Sequence, residues 1–274
     1  MKKRLSFLAA ALLASALLMA CGKQETSAPA AAPAPAATPA PTPVAAPIVI
    51  GLDDHFPPMG FRDDKNEIVG FDVDLAREAG KRLGLDVTFK PIDWSAKEAE
   101  LNGKRIDVLW NGLTITDERK VNILFTKPYL ENRQIVIVIE SSPIQAKAEL
   151  AGKTVGVQDG SSAVDAIDKD LETAKVIGEL KRFSDNVTAL MDLSAGRLDA
   201  IVMDEIVGRY YTAKKPGEYR VLGEDLGAEE YGVGMRKADT ELMGKIDQAL
   251  DDMKADGSAA AISEKWFGKD ILKR

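Results

Sequence analysis

Two residues of opposite charge, Arg119 and Asp204, each follow closely on an apolar run that is predicted to form a buried strand. A guanidinium binds a carboxylate through two parallel hydrogen bonds, and a carboxylate accepts hydrogen bonds from an ammonium group. The charged ends of a free α-amino acid lose their water on burial, so each end needs a partner of opposite charge. Arg119 and Asp204 therefore have the chemistry to bind such a zwitterion from its two ends.

Neutral polar groups near the same apolar runs could complete this site. Thr114 adds a hydroxyl, and the carbonyl of Gly112 can accept a hydrogen bond from an ammonium group. Ser161 and Ser162 stand at the predicted start of a helix, where hydroxyls and free backbone N–H groups favour an anion. Taken alone, Arg119 could instead be a solvent-exposed helix charge, and Asp204 could be a helix N-cap.

The elements that must position these residues alternate between short apolar strands and amphipathic helices. In a first series, residues 48–52, 87–89 and 106–110 are predicted strands, residues 74–83 a helix, and the SAKE run at 95–98 a capping box. A second series follows residues 135–139, with strands at 154–157, 175–177 and 198–203 and a helix capped by Asp185. Such repeats predict an α/β fold of two lobes, each a mainly parallel sheet flanked by helices. Ligands bind beyond the carboxyl ends of such strands, in the loops after residues 52, 110, 157 and 203.

The composition of the 274-residue chain excludes several function classes. It has 36 Lys and Arg residues against 43 Asp and Glu residues and a pI near 5.0, which argues against nucleic acid because phosphate contacts need a basic excess. One Cys and one His leave no internal disulfide, no zinc site with several thiolates and little basis for a histidine triad. We expect no metal and no cofactor.

The first 47 residues are predicted to lie outside the fold. Residues 1–20 combine a basic start with an apolar stretch, which is the layout of a secretory signal peptide. The LMAC run at 18–21 resembles the lipobox of bacterial lipoproteins, which implies cleavage before Cys21 and acyl chains, palmitate among them, on this residue. The alternative is an ordinary signal peptide in which Cys21 falls near the cut. Residues 21–47 are then the lipidated Cys and an extended tether rich in Ala and Pro.

Five runs, in order along the chain, together resemble one protein family. They are GFDVDLA at 70–76, GLTITDER at 112–119, FTKPY at 125–129, GKTVGVQDGSS at 152–162 and GRLDA at 196–200. These runs are similar to those of bacterial extracellular solute-binding proteins of family 3, the periplasmic or lipid-anchored receptors for polar amino acids in ABC importers. The resemblance covers residues 48–267. It implies the two-lobed type II periplasmic-binding fold with two hinge strands, and it gives Gly112, Thr114, Arg119, Ser162 and Asp204 the ligand-binding roles described above.

The resemblance also implies walls around the ligand side chain. Phe56 and Trp94 match aromatic wall positions, although in isolation both read as core residues. Asp53 matches a position where the family often has an acid, which favours a cationic or amide side chain over an acidic one. Asn111 and Gln158 stand at variable positions of the pattern and join the candidate ligand-binding residues. Asp54 and Glu98 would strengthen the bias if they face the cleft, whereas His55 is expected to be exposed.

Two function hypotheses follow from the resemblance. In the first, the chain is not an enzyme: a monomer on the periplasmic or extracellular face of the cell membrane, lipid-anchored, captures a free amino acid and delivers it to ABC permease subunits. In the second, the same scaffold is an enzyme, similar to cyclohexadienyl or arogenate dehydratases, with Asp53, Asp54 or Glu98 as the general acid. The predicted domains are residues 48–136 with 232–274 as one lobe and 137–231 as the other.

Overall fold

Two five-stranded sheets flanked by helices form the part of the chain that the computed structural model describes, residues 47–273. In chain order the strands are β1 (Ile48–Leu52), β2 (His55–Phe56), β3 (Gly60–Arg62), β4 (Ile68–Val69), β5 (Val87–Pro91), β6 (Val108–Leu109), β7 (Ile123–Phe125), β8 (Leu130–Ile139), β9 (Thr154–Gln158), β10 (Glu179–Phe183), β11 (Ala200–Asp204), β12 (Tyr219–Tyr231) and β13 (Gly234–Arg236). The helices are α1 (Phe71–Leu83), α2 (Lys97–Asn102), α3 (Asp117–Asn122), α4 (Ser162–Lys169), α5 (Leu171–Val176), α6 (Asn186–Ser194), α7 (Glu205–Lys214), α8 (Thr240–Ala255) and α9 (Ser258–Phe267), with 3-10 turns at Trp94–Ala96 and Lys147–Leu150.

The first sheet combines the start of the described chain with its end. Its strand order is β5-β1-β6-β13-β7, with β1 parallel to β5 and β6 and with β13 antiparallel to β6 and β7. After β13, helices α8 and α9 return to pack against α1. We call this sheet, helices α1–α3, α8 and α9, and the small sheet β2-β3-β4 the first lobe.

The second sheet is built from the middle of the chain. Its strand order is β10-β9-β11-β8-β12, in which β10, β9 and β11 are parallel and β8 and β12 are antiparallel to their neighbours. This sheet and helices α4–α7 form the second lobe, and residues 126–129 and 232–233 connect it to the first. The predicted boundary after residue 136 falls inside β8, whose residues pair within the second sheet, and the exact lobe boundaries stay a prediction.

The end signals of two helices are read correctly from the sequence. The helix predicted at 74–83 is α1, which ends at Gly84 in the left-handed conformation (φ 65°) that glycine adopts without steric cost. Asp185 caps α6 and accepts a hydrogen bond from the backbone N–H of Thr188 at 2.7 Å. Within the described residues, no helix is long and apolar enough to cross a membrane.

Two local predictions are wrong. The helix start near residue 95 is capped by Asp93, whose carboxylate accepts from the backbone N–H of Ser95 at 2.9 Å, so Ser95 does not cap it. Of residues 175–177, predicted as a strand, the first two end α5 and Ile177 forms only an isolated bridge with Ala151. Asp170 caps α5 through the backbone N–H of Thr173. The strand that pairs with β9 starts at Glu179. A run of three apolar residues is too short for its periodicity to separate helix from strand.

Candidate functional site

One small cavity, with a volume of about 10 Å³, lies where the two lobes meet. All eleven predicted ligand-binding residues line it, namely Asp53, Phe56, Trp94, Asn111, Gly112, Thr114, Arg119, Gln158, Ser161, Ser162 and Asp204. Each of them is buried, and the polar members carry charges or hydrogen-bonding groups that face the same space. The structure thus brings the predicted residues together in one place.

The carboxyl ends of strands from both sheets position these side chains. Asp53 comes directly after β1, and Asn111 follows β6 by two residues. Gln158 is the last residue of β9, and Asp204 is the last residue of β11. Because parallel strands end at one edge of a sheet, residues far apart in sequence converge there.

Arg119 is buried at one end of the cavity with its guanidinium bound to backbone carbonyls. Its Nη1 donates to the carbonyl of Thr114 at 2.9 Å, and its Nη2 donates to the carbonyl of Gly160 at 3.0 Å. The side chain is 5% exposed, and Arg119 lies in the first turn of α3, whose N-cap, Thr116, accepts from the backbone N–H of Arg119. Burial lowers the pKa of this guanidinium from its ordinary value. Arg119 is therefore buried, and the alternative interpretation of this residue as a solvent-exposed helix charge is wrong.

A second cation, Lys97, lies beside Arg119. Its ammonium donates to the carbonyl of Gly160 at 2.7 Å and to that of Trp94 at 3.3 Å. Burial, and then the charge of Arg119, lower the pKa of Lys97 to about 8. Within residues 47–273, neither cation forms an ion pair with a carboxylate. We call Lys97, Arg119 and the carbonyl of Gly160 the positive end.

Asp204 is buried at the opposite end of the cavity. Its Oδ1 accepts from the side-chain amides of Asn132 at 2.6 Å and Gln134 at 3.0 Å, and from the hydroxyl of Tyr231 at 2.7 Å. It occupies the N-cap position of α7, but its side chain makes no capping bond, so capping does not explain its buried carboxylate. Burial, and then the neighbouring carboxylate of Glu229, raise the pKa of Asp204.

Glu229 shares the hydrogen-bond donors of Asp204. Its Oε2 accepts from Gln134 at 2.8 Å and Asn132 at 3.0 Å, and also from the hydroxyl of Thr114 at 3.1 Å. Within the described part of the chain, neither carboxylate forms an ion pair with a Lys or Arg side chain. We call Asp204 and Glu229 the negative end.

A hydrogen bond between hydroxyls links the lobes between these two ends. Ser162 Oγ donates to Thr114 Oγ1 at 3.0 Å, and Gln134 donates to Ser162 Oγ at 3.2 Å. The Ser161 side chain points back towards β9, and its hydroxyl donates to the carbonyl of Gln158 at 2.8 Å. Ser162, at the first turn of α4, is the serine whose side chain reaches across the cavity.

A third part of the lining surrounds Asp53. The Asp53 carboxylate accepts from Gln158 Nε2 at 2.7 Å, and the Asp53 backbone N–H donates to Asn111 Oδ1 at 3.0 Å. Burial raises the pKa of Asp53 to about 6. The rings of Phe56 and Trp94 are buried beside it and form the aromatic part of the lining.

Gly112 is held in a conformation that few other residues adopt. Its φ is +56°, and a Cβ there would lie 2.8 Å from the ring of Phe56, so both the backbone and the space require glycine. Its backbone N–H donates to Asp72 at 2.6 Å, and Asp72 also accepts from the hydroxyl of Tyr129. Burial raises the pKa of Asp72 to about 7. This buried group fixes the loop that carries Asn111 and Gly112.

The family model for "Bacterial extracellular solute-binding proteins, family 3" matches residues 48–269. The chain belongs to this family. It is 33% identical over 228 residues to the L-cystine-binding protein TcyJ of Escherichia coli K12, with 82% of this chain and 84% of that protein covered. It is 32% identical over 230 residues to the lysine/arginine/ornithine-binding periplasmic protein of the same strain, covering 81% of this chain and 88% of that protein.

Solved structures of this family share the fold. An ABC uptake transporter substrate-binding protein from Streptococcus pneumoniae with bound histidine aligns with a TM-score of 0.81 at 36% identity, covering 83% of this chain and 94% of that one. The arginine-, lysine-, histidine-binding protein ArtJ from Geobacillus stearothermophilus aligns with a TM-score of 0.75 at 36% identity, covering 82% and 96%. The predicted two-lobed α/β fold and the predicted family are thus confirmed.

Some side chains considered from the sequence do not reach the cavity of this family-3 protein. Asp54 binds Arg62 at 2.5 Å, and Glu98 accepts from the side-chain amide of Asn122 at the surface. The side chain of His55 is 57% exposed, as expected. Among residues 47–273, Asp53, Asp54 and His55 bring possible metal ligands within 4.8 Å of one another, but Gln158 and Arg62 already donate to the two carboxylates.

Five side chains around the ends of the cavity were not predicted from the sequence, namely Lys97, Asn132, Gln134, Glu229 and Tyr231. Two of them carried a usable signal: Asn132 and Gln134 alternate with the charged residues Glu131 and Arg133 at the start of β8, so both amides face the side of the sheet opposite those charges. Buried amides on a strand need partners, which points to a polar site. Cys21 and the signal segment lie outside the described residues.

Proposed function

We propose that this family-3 protein captures one free amino acid between its lobes and delivers it to the permease of an ABC importer. The observation that carries the proposal is the polarity of the cavity. Within the described residues, the cavity is lined at one end by Arg119, a buried cation without a carboxylate partner, and at the other end by Asp204, a buried carboxylate without a cation partner. Lys97 and Glu229 lie beside them and add to the charge of each end. A buried charge without a counter-charge is costly, and a zwitterion supplies both missing charges at once.

The side chain of the ligand is expected to be cationic or to carry an amide. Asp53 faces that part of the cavity as a buried carboxylate, and Gln158 offers an amide beside it. An acidic side chain would meet like charge there, whereas the faces of Phe56 and Trp94 suit an alkyl stem or a cation. Relatives named for cystine and for lysine, arginine and ornithine support this class.

A thermal-shift screen against the twenty amino acids, cystine and ornithine tests the proposal. A ligand present at a hundred times its dissociation constant should stabilise the protein by about 2.7 kcal/mol. The bound amino acid should be recovered chemically unchanged, because the proposed function has no turnover. Stabilisation by none of these compounds, or conversion of arogenate to product, would overturn it.

We also propose that the protein is a monomer held at the outer face of a membrane by acyl chains on Cys21. The proposal rests on the LMAC run at 18–21 and the Ala- and Pro-rich stretch that follows it. Cys21→Ser should move the protein from the membrane fraction to the soluble fraction or block its maturation. Identical fractionation of both proteins, with no acyl chains found by mass spectrometry, would contradict the anchor.

A further inference from the structure

Lys97 is a buried lysine beside Arg119 that does not itself line the cavity. It starts α2 and is four residues before Leu101, on the face of the helix that points into the protein, where an apolar residue would be expected. Its side chain is only 5% exposed. Burying an ammonium is costly unless its donors are satisfied. The groups that bind the Lys97 ammonium must therefore offset the cost of burying its charge.

The ammonium of Lys97 forms a hydrogen bond with the other lobe. It lies 5.4 Å from the centre of the Trp94 ring, within the range of a cation–π contact, and donates to the carbonyl of Trp94 in its own lobe. Its shorter hydrogen bond, 2.7 Å, is to the carbonyl of Gly160 in the second lobe. Lys97 thus contacts Trp94 within the first lobe, and its hydrogen-bond partner in the second lobe is the carbonyl of Gly160.

The backbones of the lobes approach closely at the same point. Gly160 has a φ of +69°, and a Cβ there would lie 2.8 Å from the Cα of Ser95 in the first lobe. Only a residue without a side chain allows this approach. Gly160 immediately precedes Ser161 and Ser162 at the start of α4, so a contact that holds Gly160 also places the polar groups that face the cavity.

We propose that Lys97 is a positioning residue that latches the second lobe onto the first through the carbonyl of Gly160. The inference rests on the proposed function and extends it. The bond between Lys97 and Gly160 joins two lobes, so it exists only when they are together. An interaction that differs between the open and closed states shifts the balance between them. Arg119 shares the same carbonyl, and it contacts the proposed ligand, whereas Lys97 acts through Gly160.

The test compares Lys97→Met with a matched variant, Lys237→Met. Methionine keeps an unbranched side chain against Trp94 but has no donor. Lys237 also donates to a backbone carbonyl, that of Lys120 at 2.8 Å, but both residues belong to the first lobe. The probe is whichever of L-arginine, L-histidine or L-cystine stabilises the wild-type protein most. Its dissociation rate is followed by stopped-flow tryptophan fluorescence.

Lys97→Met should dissociate the probe about tenfold faster, since it loses a hydrogen bond from a charged donor. Lys237→Met should match the wild type. If Lys97 only stabilised the fold, the denaturant midpoint of ligand-free Lys97→Met would fall. We expect that it does not fall. A dissociation rate within twofold of the wild type overturns the latch and leaves the proposed function intact. A wild-type protein that binds none of the probes or other amino acids overturns both.

Discussion

The positive and negative ends of the cavity solve the same problem in different ways. At the positive end, Lys97 and Arg119 are held by backbone carbonyls, which carry no net charge. At the negative end, Asp204 and Glu229 are held by neutral amides and hydroxyls. Neutral partners satisfy the hydrogen bonds of a buried ion without cancelling its charge. Each end is therefore oriented in advance and still complementary to one charge of a zwitterion.

The two ends differ in how they use the lobes. The side chains and amides of the negative end come from β8, β11 and β12, all in the second lobe, with only Thr114 reaching it from the first. At the positive end, cations of the first lobe meet a carbonyl of the second. The negative end is therefore assembled largely within one lobe, whereas the positive end is completed when the lobes meet.

The largest effect is expected from Arg119→Lys. Lysine keeps the charge but cannot present the planar pair of donors, and its ammonium cannot bind the carbonyls of Thr114 and Gly160 in the same way. We expect the affinity for the amino acid to fall on the order of 100-fold, measured by calorimetry. Arg197→Lys, at an exposed ion pair with Asp192, is the control and should bind normally. Affinity within threefold of the wild type in Arg119→Lys would remove this residue from the site.

A smaller loss is expected from Asp204→Asn at the other end. Asparagine keeps the shape and one acceptor oxygen, and Glu229 remains as a second carboxylate, so the negative end is weakened and not abolished. We expect a loss of about 30-fold in affinity by the same method. A loss of affinity larger than that caused by Arg119→Lys would show that the negative end contributes more to binding than the positive end. That result would contradict this part of the comparison.

The smallest change in affinity is expected from Asp53→Asn, which belongs to neither end. Burial raises the pKa of Asp53 from 3.8 to about 6, so its charge destabilises the ligand-free fold. Between pH 4 and 6 the unfolded carboxyl is ionised while the folded one keeps its proton, so this group's contribution to stability falls as the pH rises through that window and is then constant. At pH 7 Asp53→Asn should raise the free energy of unfolding by up to about 3 kcal/mol and lower the affinity for a cationic ligand several-fold.

The pH profile checks the sign of this prediction. The difference in unfolding free energy between Asp53→Asn and the wild type should grow from pH 4 to pH 6 and stay level above it. In the wild type, affinity for a cationic amino acid should fall from pH 7 to pH 5 as Asp53 gains its proton. A difference in stability that shrinks with rising pH would show that burial does not dominate the titration of this residue.

The sequence predicted the fold and the lining of the cavity because both depend on local and repeated signals. Strand ends hold Asp53, Asn111, Gln158 and Asp204, and parallel topology alone brings strand ends to one edge. The five runs that resemble family 3 then aligned the loop residues between these strands with positions of the family pattern. These signals do not depend on knowing how the two lobes are oriented.

The residues that were missed depend on long-range geometry. Glu229 lies in β12, whose pairing with β8 shifts register between Asp225 and Ala228, so simple alternation does not tell which way its side chain points. Lys97 is a charged residue on the buried face of α2, where an apolar residue would be expected. Its hydrogen-bond partner, Gly160, is 63 residues away in sequence. Composition and periodicity carry no information on either contact.

The most direct test of the two-ended cavity removes one charge of the ligand at a time. Calorimetry would compare the amino acid selected by the screen with its decarboxylated amine and with its Nα-acetyl derivative, each titrated into the wild-type protein. Both derivatives should bind at least about 100-fold more weakly, because each leaves one end of the cavity without its counter-charge. Binding of either derivative within threefold of the parent amino acid would contradict it.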